Sequence, residues 1–285
     1  MTDSVCVAAL QMTSVDSLDL NLDQADHLLR AAHDAGAELA VLPEYFAWMS
    51  ARDTDKLALA ESEGHGPIQD FLRHAAQNYH LWIVGGTLPI QAEEAHKVYN
   101  RCLVINPKGD SVVHYDKIHL FGFTQGQERY CESNTITPGH TPKKITLPWG
   151  DLGLGVCYDL RFPELFRAIL PIDFLALPAA FTHTTGSAHW NTLLRARAIE
   201  NQCYVIASGQ TGTHPGGRRT FGHSQIIDPW GTVLTCQPED IGIITATLSL
   251  SRILEIRQAL PALEHRRFSV MDTPNLSHGY GNHHE

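Results

Sequence analysis

Three residues in this chain have the side-chain types that acyl transfer needs. Cys157 lies in Gly155-Val-Cys-Tyr-Asp-Leu-Arg-Phe-Pro-Glu, Glu44 in Val41-Leu-Pro-Glu-Tyr-Phe and Lys117 in Tyr115-Asp-Lys-Ile-His-Leu. Each closes an apolar, β-branched run that reads as a strand. Binding crevices in layered α/β proteins open at strand ends, so the three can share one pocket. A thiol is a nucleophile only as thiolate, and Pro163 at a helix start with Glu164 in the first turn predicts that Cys157 sits on a strand-to-helix elbow. A carboxylate beside it could remove the thiol proton. A lysine ammonium could hold the oxygen that becomes negative as sulfur adds to a carbonyl.

The elements that must position these residues follow from periodicity. Val5 to Leu10, Glu38 to Leu42 and Leu81 to Val84 read as strands, separated by helical patterns over Asn21 to Gly36 and Gly66 to His80. In the first helix Asn21 is the expected N-cap, Leu22, Ala25, Leu28, Leu29 and Ala32 form the buried stripe, and Gly36 is the stop. Val98 to Ile105 and Ser111 to Leu120 flank a turn at Asn106-Pro-Lys-Gly-Asp. Ile145 to Leu147 and Leu152 to Val156 flank another at Pro148-Trp-Gly-Asp. A helix over Pro163 to Leu170, a strand over Phe174 to Leu177, a helix over His189 to Asn201, a strand over Cys203 to Ser208 and a hairpin over Ser224 to Leu234 complete the pattern. This alternation predicts a layered α/β fold.

With 285 residues and 43% hydrophobic content, the chain can bury a full core. No repeat or linker divides it, so residues 1–272 read as one domain and residues 273–285 as a loosely ordered polar tail. Six scattered cysteines without a Cys-x-x-Cys pair suggest a reducing compartment and neither a zinc site nor a disulfide scaffold. His278, His283 and His284 read as solvated tail residues rather than metal ligands. A net charge of −10 argues against a nucleic-acid surface. The absence of a signal-peptide pattern or an apolar span predicts a cytoplasmic protein without a membrane partner.

Beyond these physical readings, the chain resembles the nitrilase superfamily of carbon–nitrogen hydrolases over nearly its whole length. Glu44, Lys117 and Cys157 match its Glu-Lys-Cys triad in order and rough spacing. Its Nit branch is matched by Glu132-Ser-Asn, Pro138-Gly, Cys157-Tyr-Asp-Leu-Arg-Phe-Pro-Glu-Leu, Ala188-His-Trp, Leu194-Arg-Ala-Arg-Ala-Ile-Glu-Asn-Gln-Cys-Tyr-Val and Gly222-His-Ser-Gln-Ile-Ile-Asp-Pro-Trp-Gly. The resemblance implies a four-layer α-β-β-α sandwich, a homodimer or higher homo-oligomer, and no metal or organic cofactor. It implies that Glu44 shuttles protons, that Lys117 and the Tyr158 backbone N–H hold the oxyanion, and that a thioester forms with release of ammonia. Glu132 would be the second, orienting glutamate, although Glu128 lies only four residues away.

Within the Nit branch, Gly186 through Trp190 and Leu193-Leu-Arg-Ala-Arg-Ala-Ile-Glu are more similar to deaminated-glutathione amidases than to the ω-amidases that act on α-ketoglutaramate-like acids. Both substrates are small carboxylate-bearing amides. Arg161 could clamp such a carboxylate, or pair structurally with Asp159 or Glu164. Phe181, Thr182 and His189 are expected at the pocket mouth. Three readings compete with this one. Nitrile hydrolysis uses the same triad, a noncatalytic scaffold would not need an intact one, and a papain-type protease needs a histidine context that the sequence does not supply. The isolated Cys6, Cys102 and Cys203 read as core packing.

Overall fold

Residues 3–126 and 128–269 are described by the computed structural model; the tail with His278, His283 and His284 lies outside the described residues. The chain opens with β1 (Ser4–Gln11), α1 (Leu18–Asp34), β2 (Leu39–Val41), α2 (Pro67–Tyr79) and β3 (Trp82–Val84). The three strands run parallel, as βαβ connections require. Ser17, not Asn21, caps α1, accepting from the Leu20 N–H at 3.5 Å. Asn21 sits one turn in and buried, where its amide bonds Val15 N, Val15 O and Ala47 O at 2.7–2.8 Å. It ties the helix to the loop that carries Glu44, and that tertiary role overrides the capping preference of its residue type.

Three antiparallel strands follow, β4 (Leu88–Gln91), β5 (Val98–Ile105) and β6 (Ser111–Asp116), then a small hairpin of β7 (Gly122–Gln125) and β8 (Glu128–Cys131). The second half begins with β9 (Lys144–Leu147), β10 (Gly150–Leu154), α3 (Pro163–Ala168), β11 (Phe174–Ala179), α4 (His183–Asn201) and β12 (Tyr204–Gly209). A two-stranded pair, β13 (Thr211–Thr213) and β14 (Arg219–Phe221), precedes β15 (Ser224–Ile227), β16 (Val233–Gln237), β17 (Gly242–Ser249) and α5 (Leu250–Ala259).

One sheet has the order β17-β1-β2-β3-β5-β4 with β6 beside β5, and the other β16-β15-β12-β11-β10-β9. Alternation along β1 shows how they stack. Val5, Val7 and Ala9 share a core with the second sheet and α3–α4, whereas Ala8 and Leu10 face the core under α1 and α2. The result is the expected α-β-β-α order of layers. Helix α4 begins six residues earlier than periodicity suggests, because Thr182 caps it by accepting from Thr185 N–H at 3.4 Å. Gly186 in its first turns is packed so closely on Phe221 that a Cβ there would meet that side chain at 2.4 Å. Among the described residues no helix is long and apolar enough to cross a membrane.

Candidate active site

β2, β6 and β10 end at one side of the sandwich, and Glu44, Lys117 and Cys157 lie just beyond them. Cys157 occupies the left-handed region at φ 49° and opens a 3-10 turn over Cys157–Arg161. A non-glycine residue there is held against its preference, and such strain is retained only where surrounding structure fixes it. The fixing residue is Asp159, wholly buried. Its carboxylate accepts from Val156 N at 2.9 Å, Tyr115 OH at 2.7 Å and His119 N at 3.0 Å, and meets His119 Nδ1 at 2.7 Å. Asp159 thus bolts the cysteine turn of one sheet to the lysine strand of the other. This corrects its reading as a partner for Arg161.

Lys117 has no solvent-exposed surface. Its Nζ donates to Glu44 Oε1 at 2.8 Å and to Glu132 Oε1 and Oε2 at 2.9 and 2.7 Å. Glu44 also accepts from Asn100 Nδ2 and from the Ala180 N–H, each at 2.9 Å. Glu132 accepts from Tyr45 OH at 2.9 Å and Phe121 N at 2.7 Å. The structure therefore brings Glu132, and not Glu128, to the lysine; Glu128 stands on the outer cleft. Burial works against the lysine charge, but Glu132 and Glu44 outweigh it and hold Lys117 above its ordinary value. Burial likewise opposes ionisation of Glu132, and the Lys117 ammonium overrides it to hold that carboxyl below the usual range. The Cys157 thiol is pushed well up, first by burial and then by the charge of Glu44, with Lys117 opposing. At rest the proton stays on sulfur, under the influence of the Glu44 charge.

A narrow chamber of about 10 Å³ lies over Cys157, lined by Phe121, Glu132, Tyr158, Phe181, Thr182 and Arg218 among others. It opens past Phe121, Glu132 and Arg218 into a cleft of about 940 Å³, walled in part by the β7–β8 hairpin and the 215–218 loop. Of the residues expected at the mouth, Phe181 and Thr182 line the chamber, although the Thr182 hydroxyl is engaged in capping α4. His189 does not line it. That ring is exposed on α4 and bonds Arg161 Nη1 at 3.1 Å, while the Arg161 guanidinium lies over the rings of Tyr158 and Phe181 at 5.7 and 5.2 Å. Asp159 and Glu164 are not its ion-pair partners among the described residues.

Four further residues were not legible as site components: Asp159, Asn100, Gln210 and Arg218. Gln210 Nε2 holds the Glu44 carbonyl at 3.0 Å. Arg218 follows Gly216 and Gly217 and donates from Nη2 to Ala180 O at 3.2 Å. Only the turn-forming Pro215-Gly-Gly before it hinted at a structured loop.

A buried Cys-Glu-Lys-Glu cluster between two facing sheets, each backed by helices, defines a carbon–nitrogen hydrolase of the nitrilase superfamily, and the chain belongs to that family: its carbon–nitrogen hydrolase model matches residues 6–258. Among its relatives, the deaminated glutathione amidase of Synechocystis is 43% identical over 92% of this chain and 97% of its own length. The human deaminated glutathione amidase is 39% identical over 95% of this chain and 84% of its own length. Nit3 of Saccharomyces cerevisiae, a member of branch 10 of the nitrilase superfamily, superposes with a TM-score of 0.84 at 31% identity, over 94% of this chain and 98% of that one.

Proposed function

We propose that the protein hydrolyses the amide joining an oxo-acid acyl group to an amine, with deaminated glutathione as substrate. The observation that carries the chemistry is the buried cluster in which the Lys117 ammonium holds the carboxylates of Glu44 and Glu132 together at the floor of the chamber that Cys157 lines. The substrate follows the curated relatives and the wide cleft, which has room for a leaving group of dipeptide size.

Glu44 takes the Cys157 proton as sulfur adds to the amide carbon, and Lys117 with the Tyr158 backbone N–H stabilises the oxyanion. The tetrahedral adduct collapses, the C–N bond breaks, and Glu44 returns its proton to the departing nitrogen. Water, deprotonated by Glu44, then cleaves the thioester and restores the thiol. Glu132 is a positioning residue that fixes Lys117. Deaminated glutathione has no primary amide, so its departing group is the amine of cysteinylglycine. The ammonia expected from the sequence applies only to α-ketoglutaramate.

We further propose that the chain acts as one domain in the cytoplasm and pairs with a second copy. Exposed Ile199, which packs on Gly231, and exposed Trp230, the residue before that glycine, offer apolar surface for that pairing. The test of function is to follow 2-oxoglutarate from deaminated glutathione and from α-ketoglutaramate side by side, with Cys157→Ala as blank. Faster release from deaminated glutathione is expected. Product from neither, or equal product from Cys157→Ala, would sink the assignment.

A further inference from the structure

The chamber over Cys157 contains one cation that the chemistry above leaves unused. Arg218 lines both the chamber and the outer cleft. A guanidinium carries five N–H donors, yet the one hydrogen bond recorded for it among the described residues is the bond to Ala180 O. Its Nε is buried without a partner. No carboxylate among the described residues stands within ion-pair distance of it, and its guanidinium instead lies over the Tyr130 ring at 5.1 Å. Ala180 donates its N–H to Glu44 Oε2 at 2.9 Å while its carbonyl accepts from Arg218, so a single residue separates the arginine from the base. Backbone dimensions then place Arg218 Nη2 within about 10 Å of the Glu44 carboxylate.

We propose that Arg218 is the anion anchor of this enzyme and takes the α-oxo carboxylate of the acyl half while the scissile carbonyl sits on Cys157. The inference rests on the amidase reading above. Arg218 stands where the chamber over Cys157 meets the cleft, so an acyl group attached to the sulfur runs toward that cation, and the wide cleft receives the branched leaving half. The carboxylate supplies the acceptor that Arg218 lacks, and a planar guanidinium can bind it in bidentate fashion. Arg161, engaged with His189 and outside the chamber lining, is left for groups nearer the surface.

The test measures 2-oxoglutarate binding to Cys157→Ala protein with and without Arg218→Met, alongside kcat/KM of Arg218→Met and Arg218→Lys on deaminated glutathione and α-ketoglutaramate. A charged hydrogen-bonded contact predicts about 10- to 100-fold weaker 2-oxoglutarate binding without the arginine. A similar loss of kcat/KM is expected on both amides, which share the acyl half, with part of it restored by lysine. Unchanged 2-oxoglutarate binding beside a lowered kcat would assign Arg218 to holding the Ala180–Glu44 strand end and overturn the proposal. Loss confined to deaminated glutathione would place the contact on the leaving half and also overturn it. Wild-type protein that hydrolyses neither amide and binds no 2-oxoglutarate would remove the substrate reading and the anchor together, whereas wild-type turnover with no effect of Arg218→Met would remove the anchor alone.

Discussion

Glu44→Gln should make Cys157 easier to alkylate while stopping turnover. The charge of Glu44 is the largest influence after burial that keeps the proton on the Cys157 sulfur. Two charges about 4 Å apart at an effective dielectric near 20 interact by about 4 kcal/mol, equivalent to about three pH units. Glu132 and Lys117 remain in the variant, which leaves a downward movement of roughly one to three units in the midpoint of the pH–rate curve. The sign follows from the coupling: removing an anion next to a forming thiolate favours the thiolate. The assay is the pH dependence of inactivation by iodoacetamide, a neutral reagent, with the alkylated peptide mapped. Mapping is essential because Cys131 is exposed and reacts independently, whereas burial pushes Cys203 up to about 12. Turnover should fall by about 10²- to 10⁴-fold, the usual contribution of general acid–base catalysis. A midpoint at or above the wild-type value would refute the electrostatic account of the resting site.

Glu132→Gln leaves Lys117 with Glu44 as its one anionic partner and should lower kcat by about 10²- to 10³-fold, the scale of losing one oxyanion donor, in steady-state assays. Asp159→Asn removes an anion that takes four polar contacts from Val156, Tyr115 and His119. It should cost about 3 kcal/mol, read as a fall in Tm of about 6–12 °C by calorimetry, with activity reduced in the surviving fold. His214 is buried between Ser14 O and Thr220 Oγ1, and burial lowers it from the ordinary value of 6.5 to about 4. A depressed value means that stability is present above pH 6.5 and is lost as pH falls toward 4; His214→Gln should flatten that part of the Tm-versus-pH curve.

The sequence carried the chemistry further than the geometry. Cys157, Glu44 and Lys117 were identifiable because each ends a strand and the three match a family pattern, and the layered α/β class followed from alternation. Only the fold separates Glu132 from Glu128, since one follows the short hairpin and the other opens its second strand, and only Glu132 meets Lys117. Asp159 was misassigned to its sequence neighbours because its partners, Tyr115 and His119, are forty or more residues away. Arg218 gave no periodic signal, as its place is set by a loop that folds back onto Ala180. The early start of α4 was hidden by Thr184, Thr185, Gly186 and Ser187, residues of modest helix propensity that are held by a cap and by contact with Phe221. β17 and α5 were also unread; β17 pairs with β1 across nearly the whole chain length, and no local pattern announces such a partner.

Cys157 hangs from one sheet and Glu44 and Lys117 from the other, so the interface between the sheets works as a caliper that sets how far the thiol stands from that pair. Val7 and Val41 on one jaw and Val156 and Ala207 on the other lie in that shared core. A misplacement of about 1 Å can cost about 10²-fold in rate. Plain hydrophobic substitutions far from any reacting atom can therefore behave like active-site lesions.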